Sequence, residues 1–186
     1  MAANCPLMAF LCLAGALLTA GAAVKYYPEC PEGWTLFGTR CFKFFFSQST
    51  WTESEKSCQS LGANLASIHS AEENAFVVEL IRGADVEGVV NEFTWIGGQD
   101  AVKEKVWMWS DGSVWDYAIW GRGQPDNWRG KDHFTVIYSK EAVWRDYFES
   151  WTINYICAKD AAGNVDMCPE IFCPNVCPDI CHSAPQ

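Results

Sequence analysis

Cysteines are the strongest constraint on how this chain can fold. The chain has ten of them. Two, Cys5 and Cys12, lie near the N-terminus, and eight follow residue 23: Cys30, Cys41, Cys58, Cys157, Cys168, Cys173, Cys177 and Cys181. An even number of cysteines in a secreted chain indicates a disulfide framework. Counting alone leaves roughly a hundred possible pairings of eight cysteines, so it does not choose among them.

The first 23 residues have the order of a secretory signal peptide. An apolar stretch, Leu7–Leu18, is followed by the small residues Thr19–Ala23, which suit cleavage by signal peptidase. The apolar stretch is shorter than the roughly 20 residues that span a bilayer, and no later apolar run reaches that length. We therefore expect residues 1–23 to be removed, together with Cys5 and Cys12, and the mature chain to be secreted without a membrane span.

Charge and composition argue against several classes of function. The formal net charge is -10, whereas binding to a polyanion needs a surface rich in lysine and arginine. Nucleic acid and anionic membranes are therefore not expected partners. Hydrophobic residues make up 49% of the chain, enough for a packed core. The sequence contains no serine or cysteine nucleophile motif, and His133 beside Asp132 is interpreted as a loop residue, so we predict that the protein is not an enzyme.

Two helices are indicated by their terminal signals. Thr50 with Glu53 and Ser70 with Glu73 have the spacing of capping boxes, in which a hydroxyl and a carboxylate satisfy the first free amides of a helix. Glycine is the commonest residue at helix C-termini. The first helix is therefore predicted to end near Gly62 and the second near Gly83.

Loops and short strands follow the second predicted helix. Asp111–Lys131 is rich in Gly, Asp, Asn and Trp and lacks helical periodicity, and such long irregular segments are more often functional than idle. A hairpin is predicted between Cys30 and Cys41, leading into a strand. Further strands are predicted at Phe93–Gly97, Val106–Trp109, Phe134–Tyr138, Val143–Trp144 and Tyr155–Ala158.

A series of separated motifs between Cys30 and Lys159 resembles the C-type lectin-like family. In order, they are Cys30–Trp34, Cys41–Lys43, Trp51 with Cys58, Leu65–Ile68, Trp95–Gly97, Trp109–Ser113, Gln124–Trp128, Trp144–Asp146 and Tyr155–Cys157. The resemblance implies an α+β fold with two helices, two small antiparallel sheets and a long ligand-binding loop region. It assigns residues 24–160 to this domain and leaves 161–186 as a tail rich in cysteine and proline.

The same resemblance implies the disulfide pairing of the domain. It pairs Cys58 with Cys157 across the domain and Cys30 with Cys41 at the opening hairpin. Family members usually have a further bridge in the loop region, but its two positions here hold Phe134 and Glu149. The binding loops are therefore expected to lack that covalent support.

Four oxygen-bearing side chains form the candidate site: Gln124, Asp126, Asp132 and Asp146. Oxygen ligands are what a hard cation such as calcium requires. Without the resemblance, these residues would be read as solvated loop groups. The resemblance implies instead that the first and third residues of the tripeptide, Gln124 and Asp126, bind calcium and also two adjacent sugar hydroxyls, and that Pro125 is cis.

The tripeptide order Gln-Pro-Asp is similar to the galactose-type form of the family motif, whereas Glu-Pro-Asn accompanies mannose-type binding. Trp128 supports this interpretation, because an indole beside the site can pack on the apolar face of galactose. Alternatively, Trp128 is a packed loop aromatic in a domain rich in tryptophan. Galactose-containing glycans are thus the expected partner.

Two departures from the family pattern bear on calcium. Arg145 stands where an asparagine ligand is expected, and a guanidinium is always charged and accepts no hydrogen bond. Asp132 stands where the longer glutamate is usual. Arg145 is therefore expected to pair with Asp126 or Asp132, or to contact an anionic ligand. The alternative to a calcium-dependent lectin is a lectin-like module that binds protein or another surface, including ice, without calcium or sugar.

The tail carries Cys168, Cys173, Cys177 and Cys181, three of them followed by proline. These cysteines can form local bridges, bridges between chains, or a metal site, and an oxidising compartment favours disulfides. We expect some of the bridges to link subunits into a homo-oligomer, because multivalency raises the avidity of a weak sugar binder by about 10² to 10⁴.

Overall fold

The computed structural model describes residues 26–84 and 92–165. The predicted signal peptide and the four tail cysteines therefore lie outside the described residues. The described elements are β1 (Tyr26–Glu29), β2 (Thr35–Phe37), β3 (Arg40–Ser49), α1 (Trp51–Ser60), β4 (Asn64–Leu65), α2 (Ala71–Gly83), β5 (Phe93–Gln99), β6 (Met108–Trp109), a 3₁₀ turn (Trp128–Gly130), β7 (Asp132–Tyr138), β8 (Val143–Phe148), β9 (Ile153–Asp160) and β10 (Ala162–Val165). The predicted α+β class is confirmed.

Two sheets organise these strands. One pairs β1 with β10, and the other has eight strands in the order β2-β3-β9-β5-β7-β8, with β4 added to β9 and β6 added to β5. The larger sheet is mostly antiparallel, but β5 and β9 run parallel and place Trp95 opposite Tyr155. This parallel pair joins the half of the sheet formed by β2, β3 and β9 to the half that carries β7 and β8.

Both predicted helices are present, and their N-termini are built differently. In α1 the Thr50 hydroxyl and the Glu53 carboxylate form the full capping box. In α2 the Ser70 hydroxyl accepts from the Glu73 amide, but the Glu73 carboxylate accepts from the amide of His69, one residue earlier, at 2.7 Å. It also pairs with Arg40 at 2.8 Å, so this first turn is tied to β3.

The strand predicted at Val106–Trp109 is shorter than expected. Only Met108 and Trp109 pair with β5. The Val106 amide donates to the Lys103 carbonyl within a turn, and Lys105 has a left-handed backbone with φ 66°. A buried carboxylate, Asp100, accepts from the Lys105 amide at 2.7 Å and holds this turn in place of a strand.

Buried tryptophans form much of the core, and two of them, Trp95 and Trp144, find a partner for the indole N–H, whereas the indole N–H of Trp109 has none among the described residues. Trp95 and Trp144 are fully buried. The Trp95 indole donates to the Ser49 carbonyl at 3.0 Å and the Trp144 indole to the Asn74 side-chain oxygen at 2.8 Å. A buried indole needs such an acceptor, because an unpaired N–H in the core costs free energy. These bonds fix how α2 and β3 sit against the central strands.

Two disulfides are present among the described residues, and they are the expected ones. Cys30 is bonded to Cys41 and Cys58 to Cys157. At the positions where the family usually has a further bridge, the Phe134 ring lies 4.7 Å from that of Trp51, and the Glu149 carbonyl accepts from the Trp51 amide. The loop disulfide is therefore absent, as expected, and contacts with Trp51 occupy its two positions.

Neither helix in the described part of the chain is long and apolar enough to cross a bilayer.

We predict that the two disulfides contribute unequally to stability. Replacing both Cys58 and Cys157 with alanine lowers the free energy of unfolding by about 4–5 kcal/mol in the chain-entropy model, because this bridge joins residues 99 apart. The matched pair is Cys30→Ala with Cys41→Ala, which joins residues 11 apart, and the same model gives about 3 kcal/mol. Urea unfolding of the three proteins measures the difference; equal losses would contradict it.

Candidate functional site

All five predicted site residues line one open depression at the loop-bearing edge of the larger sheet. Its volume is about 360 Å³, and its walls come from the long loop, from the start of β7 and from β8 with the turn that follows it. The lining residues are Gln124, Asp126, Trp128, Arg129, Lys131, Asp132, Arg145, Asp146, Tyr147, Phe148 and Trp151. The Gln124–Pro125 peptide bond is cis, as the sequence predicts.

A buried carboxylate, Asp146 on β8, holds the tripeptide in place. Only 2% of Asp146 is exposed. Its carboxylate accepts from the amide of Asp126 at 3.0 Å and from that of Asn127 at 2.7 Å. The Asp146 amide in turn donates to the Gln124 side-chain oxygen at 3.2 Å. These three hydrogen bonds set the direction in which Gln124 and Asp126 present their side chains.

The chain before the tripeptide is anchored to the same strand by its backbone. The Gly121 amide donates to the Trp144 carbonyl at 2.8 Å, and the Trp144 amide donates to the Ile119 carbonyl at 2.7 Å. Below this anchor, indole rings pack against one another at centroid distances from 4.2 to 6.3 Å. This tryptophan cluster consists of Trp107, Trp109, Trp115, Trp120 and Trp144. It supports the loop from within.

Like charges crowd the depression. Burial and, after it, the neighbouring carboxylates of Asp146 and Asp126 raise the pKa of the Asp132 carboxyl to about 6, against an opposing effect of His133. Burial also raises the pKa of the Asp146 carboxyl, against the two amides that donate to it. Burial and nearby like charge therefore disfavour the charged forms of Asp132 and Asp146.

The basic residues of the depression lie over aromatic rings. The guanidinium of Arg129 is 4.1 Å from the Trp128 ring centroid, and the ammonium of Lys131 is 5.5 Å from that of Phe148. Both distances are typical of cation–π contacts. Within residues 26–84 and 92–165, neither side chain forms an ion pair with a carboxylate of the site.

The expectation that Arg145 pairs with Asp126 or Asp132 is wrong. Its guanidinium lies 4.1 Å from the Tyr138 ring centroid and 5.8 Å from that of Phe93. The physical reason is the alternation of side chains along β8. Arg145 lies between the buried Trp144 and Asp146, so its side chain points to the other face of the strand. The arginine therefore does not fill the space between the site carboxylates.

The carboxylates of the site do not form a closed metal cage. Among the described residues, the one group of three acidic or histidine side chains whose ligand atoms all lie within 4.8 Å of one another is Asp100, Glu104 and His133. Asp126, Asp132 and Asp146 do not meet that distance. The Asp100 group is joined to the site by Asn127, whose side-chain amide donates to Glu104 at 2.5 Å. The sequence interpretation of His133 as a loop residue is wrong, because His133 lies on β7, and it missed this cluster.

Exposed aromatics border the depression. Trp128 is 57% exposed, so it is not the packed loop aromatic that the alternative interpretation required. Phe148 and Trp151 are exposed as well and line the same depression. The sequence interpretation did not single them out, because no motif marks them. Phe148 ends β8 and Trp151 follows it after a short turn, so the closeness of both residues in sequence to Asp146 is the one signal that could have found them.

A family model and a curated relative resemble this chain over most of the described residues. The model of the Lectin C-type domain matches residues 47–159. The galactose-specific lectin nattectin of Thalassophryne nattereri is 41% identical over 152 residues, which are 81% of this chain and 94% of that protein.

Solved structures share the fold. The C-type lectin CEL-I of Cucumaria echinata superposes with a TM-score of 0.66 at 30% identity, covering 74% of this chain and 99% of CEL-I. A calcium-independent type II antifreeze protein superposes with a TM-score of 0.65 at 32% identity, covering 73% of this chain and 98% of the antifreeze protein. A lectin and an antifreeze protein are thus similar to this chain to about the same degree.

We predict that the charge of Asp132 destabilises the cation-free protein at neutral pH. Its pKa is about 6 in the folded protein against an ordinary value of 3.8, so the folded state binds this proton more tightly than the unfolded state does. The stabilisation from this group is fully present below pH 3.8 and is lost as the pH rises through about 6. Asp132→Asn removes the charge and should raise the free energy of unfolding at pH 7.5 by up to about 1 kcal/mol, the scale for partly exposed charges.

The measurement is urea unfolding of the full chain between pH 4 and 8 with a chelator present. Asp160→Asn is the matched control, because Asp160 ends β9 as an exposed carboxylate and does not line the depression. An Asp132→Asn protein that is less stable than the parent at pH 7.5 would contradict the assignment.

Proposed function

Since the chain belongs to the C-type lectin domain family, we propose that it is a secreted lectin that binds galactose-type sugars in the depression around Gln124 and Asp126. The observation that carries the proposal is the anchoring of the tripeptide on Asp146. This anchoring presents Gln124 and Asp126 next to an exposed indole and unpaired carboxylates. A site with these features suits a ligand rich in hydroxyls and with one apolar face.

Gln124 and Asp126 would read two adjacent hydroxyls. The Gln124 oxygen accepts one hydrogen bond from the Asp146 amide, which orients the side chain and leaves its NH₂ group available as a donor. Within residues 26–84 and 92–165, the Asp126 carboxylate takes part in no side-chain hydrogen bond or ion pair, and a carboxylate is an acceptor only. One donor and one acceptor, side by side, match a pair of neighbouring hydroxyl groups.

Trp128 would supply the apolar part of the recognition. One face of its indole lies against the Arg129 guanidinium, and 57% of the residue is exposed. Galactose has an apolar face that can pack on an aromatic ring, and stacking of this kind is worth about 1–3 kcal/mol on other platforms. The indole thus adds affinity that hydrogen bonds to exposed hydroxyls alone do not provide.

The donor set suits calcium in its chemistry. The ion would be held by Gln124, Asp126, Asp132 and Asp146, all through oxygen atoms, as a hard cation prefers. A positive ion would relieve the repulsion that raises the pKa of Asp132, and no lysine or arginine of the depression does so. A bound calcium ion supplies open coordination positions for sugar hydroxyls. The three carboxylates would have to draw closer together, because their oxygens do not lie within 4.8 Å of one another.

Titration calorimetry of the full chain with galactose, with and without calcium, tests this proposal. We expect Gln124→Ala to abolish measurable galactose binding, because it removes a sugar contact and a partner of the Asp146 amide. Gln48→Ala is the matched control, since Gln48 is exposed on β3 and does not line the depression. Galactose binding that survives in Gln124→Ala would place the sugar elsewhere. Galactose binding that persists in excess chelator would remove the calcium part alone.

A second variant tests the sugar preference. Gln124→Glu with Asp126→Asn converts the tripeptide to the Glu-Pro-Asn order that accompanies mannose-type binding in the family. The two changes keep the net charge of the site and the oxygen that accepts from the Asp146 amide. We expect mannose to displace galactose as the tighter ligand in competition binding. An unchanged order of preference would show that the tripeptide does not set specificity here.

The alternative function is binding of a surface such as ice without calcium or sugar. The similarity to a calcium-independent antifreeze protein and the arginine at position 145 favour it. Thermal hysteresis of a solution of the full chain, in the absence of galactose binding, would support this function over the lectin. Assembly through the tail cysteines stays a prediction.

A further inference from the structure

Trp151 is an exposed tryptophan that the proposed contacts to a single sugar do not use. It follows the turn after β8, where its amide donates to the Phe148 carbonyl at 3.1 Å. The residue is 53% exposed, and a large aromatic left in water forgoes the free energy that its burial would give. It nevertheless lines the same depression as Gln124 and Asp126.

The path from the acidic part of the depression to Trp151 is continuous. Asp132 on β7 is the direct cross-strand partner of Phe148 on β8, and side chains of such partners lie about 5 Å apart. Phe148 is itself partly exposed and borders the depression. A ligand that occupies the Gln124 and Asp126 end therefore meets an aromatic surface when it extends across Phe148.

The Trp151 ring is held in position before any ligand arrives. It makes an edge contact with Tyr147 at a centroid distance of 5.2 Å and an angle of 79°. Tyr147 in turn lies 5.1 Å from Phe93 on the central strand β5. An edge contact covers at most one face of the indole, so the other face has no ring or cation against it among the described residues. A platform fixed in this way binds with little loss of side-chain entropy.

We propose that Trp151 forms a second subsite, which stacks on the neighbouring sugar of a galactose-terminated neutral oligosaccharide. The inference rests on the proposed function, because the terminal galactose would occupy the Gln124 and Asp126 end. A neutral sugar suits the subsite, since the path across Phe148 to Trp151 offers aromatic surface, and the three carboxylates and three cationic side chains that line the depression balance in formal charge. The ligand class is therefore an oligosaccharide, with affinity shared between two indoles.

The test compares the binding of a monosaccharide with the binding of a disaccharide. Binding of methyl β-galactoside and of lactose to the full chain is measured by titration calorimetry for the parent protein and for Trp151→Ala. Loss of one stacking platform should weaken lactose binding by about 5- to 150-fold and leave methyl β-galactoside binding unchanged. Phe46→Ala is the matched control, because Phe46 is 57% exposed and does not line the depression.

A variant that keeps the packing separates recognition from folding. Trp151→Phe retains an aromatic contact with Tyr147 and should restore part of the lactose affinity, with a thermal unfolding midpoint close to that of the parent. Equal losses for both sugars in Trp151→Ala, or no loss for either, would overturn the subsite while leaving the proposed function intact. A parent protein that binds neither sugar overturns both. A parent protein that binds the two sugars equally tightly overturns the subsite alone.

Discussion

The hydrogen bonds that the Asp146 carboxylate accepts from the backbone of the tripeptide are the interaction on which the rest of the site depends. A buried carboxylate is costly unless amides or cations satisfy it, and here two consecutive amides do so. Asp146 also donates a hydrogen bond to the tripeptide, because its backbone amide bonds to the Gln124 side-chain oxygen and orients that side chain. These hydrogen bonds join the irregular loop to strand β8, so the strand holds the loop in a fixed conformation.

The distribution of charge follows from the same arrangement. The cationic side chains of the depression settle on aromatic rings, while the acidic ones face each other and the solvent. Because these cations lie over rings, none of them forms an ion pair with a carboxylate of the site among the described residues, and Asp126 and Asp132 remain able to accept hydrogen bonds from a ligand. Arg145 contributes to this outcome, because its guanidinium lies against the Tyr138 ring rather than in an ion pair with Asp126 or Asp132.

The sequence predicts the helices from their local terminal signals, whereas the two disulfides of the domain and the cis proline are what the family resemblance implies, and all of them are confirmed. The sequence also predicts that the five candidate residues form one site, and all five line the same depression. The predicted ion pair of Arg145 is wrong, because the contacts of this side chain depend on the face of the strand and not on the neighbouring residues in the sequence. The predicted strand at Val106 is also wrong, because a turn held by the buried carboxylate of Asp100 replaces it. The sequence misses the Asp100, Glu104 and His133 group and the platform of Trp151, because their proximity arises only when separate segments fold together.

The tryptophan cluster under the loop has a consequence for the chemical resilience of the site. In place of the loop disulfide that family members usually carry, this chain uses packed indoles and the contact between Phe134 and Trp51. Thiol reagents cleave sulfur bonds and leave ring packing untouched. Within the described residues, the binding edge has no disulfide of its own to lose, and reduction affects it only through the Cys30–Cys41 and Cys58–Cys157 bridges in the body of the domain.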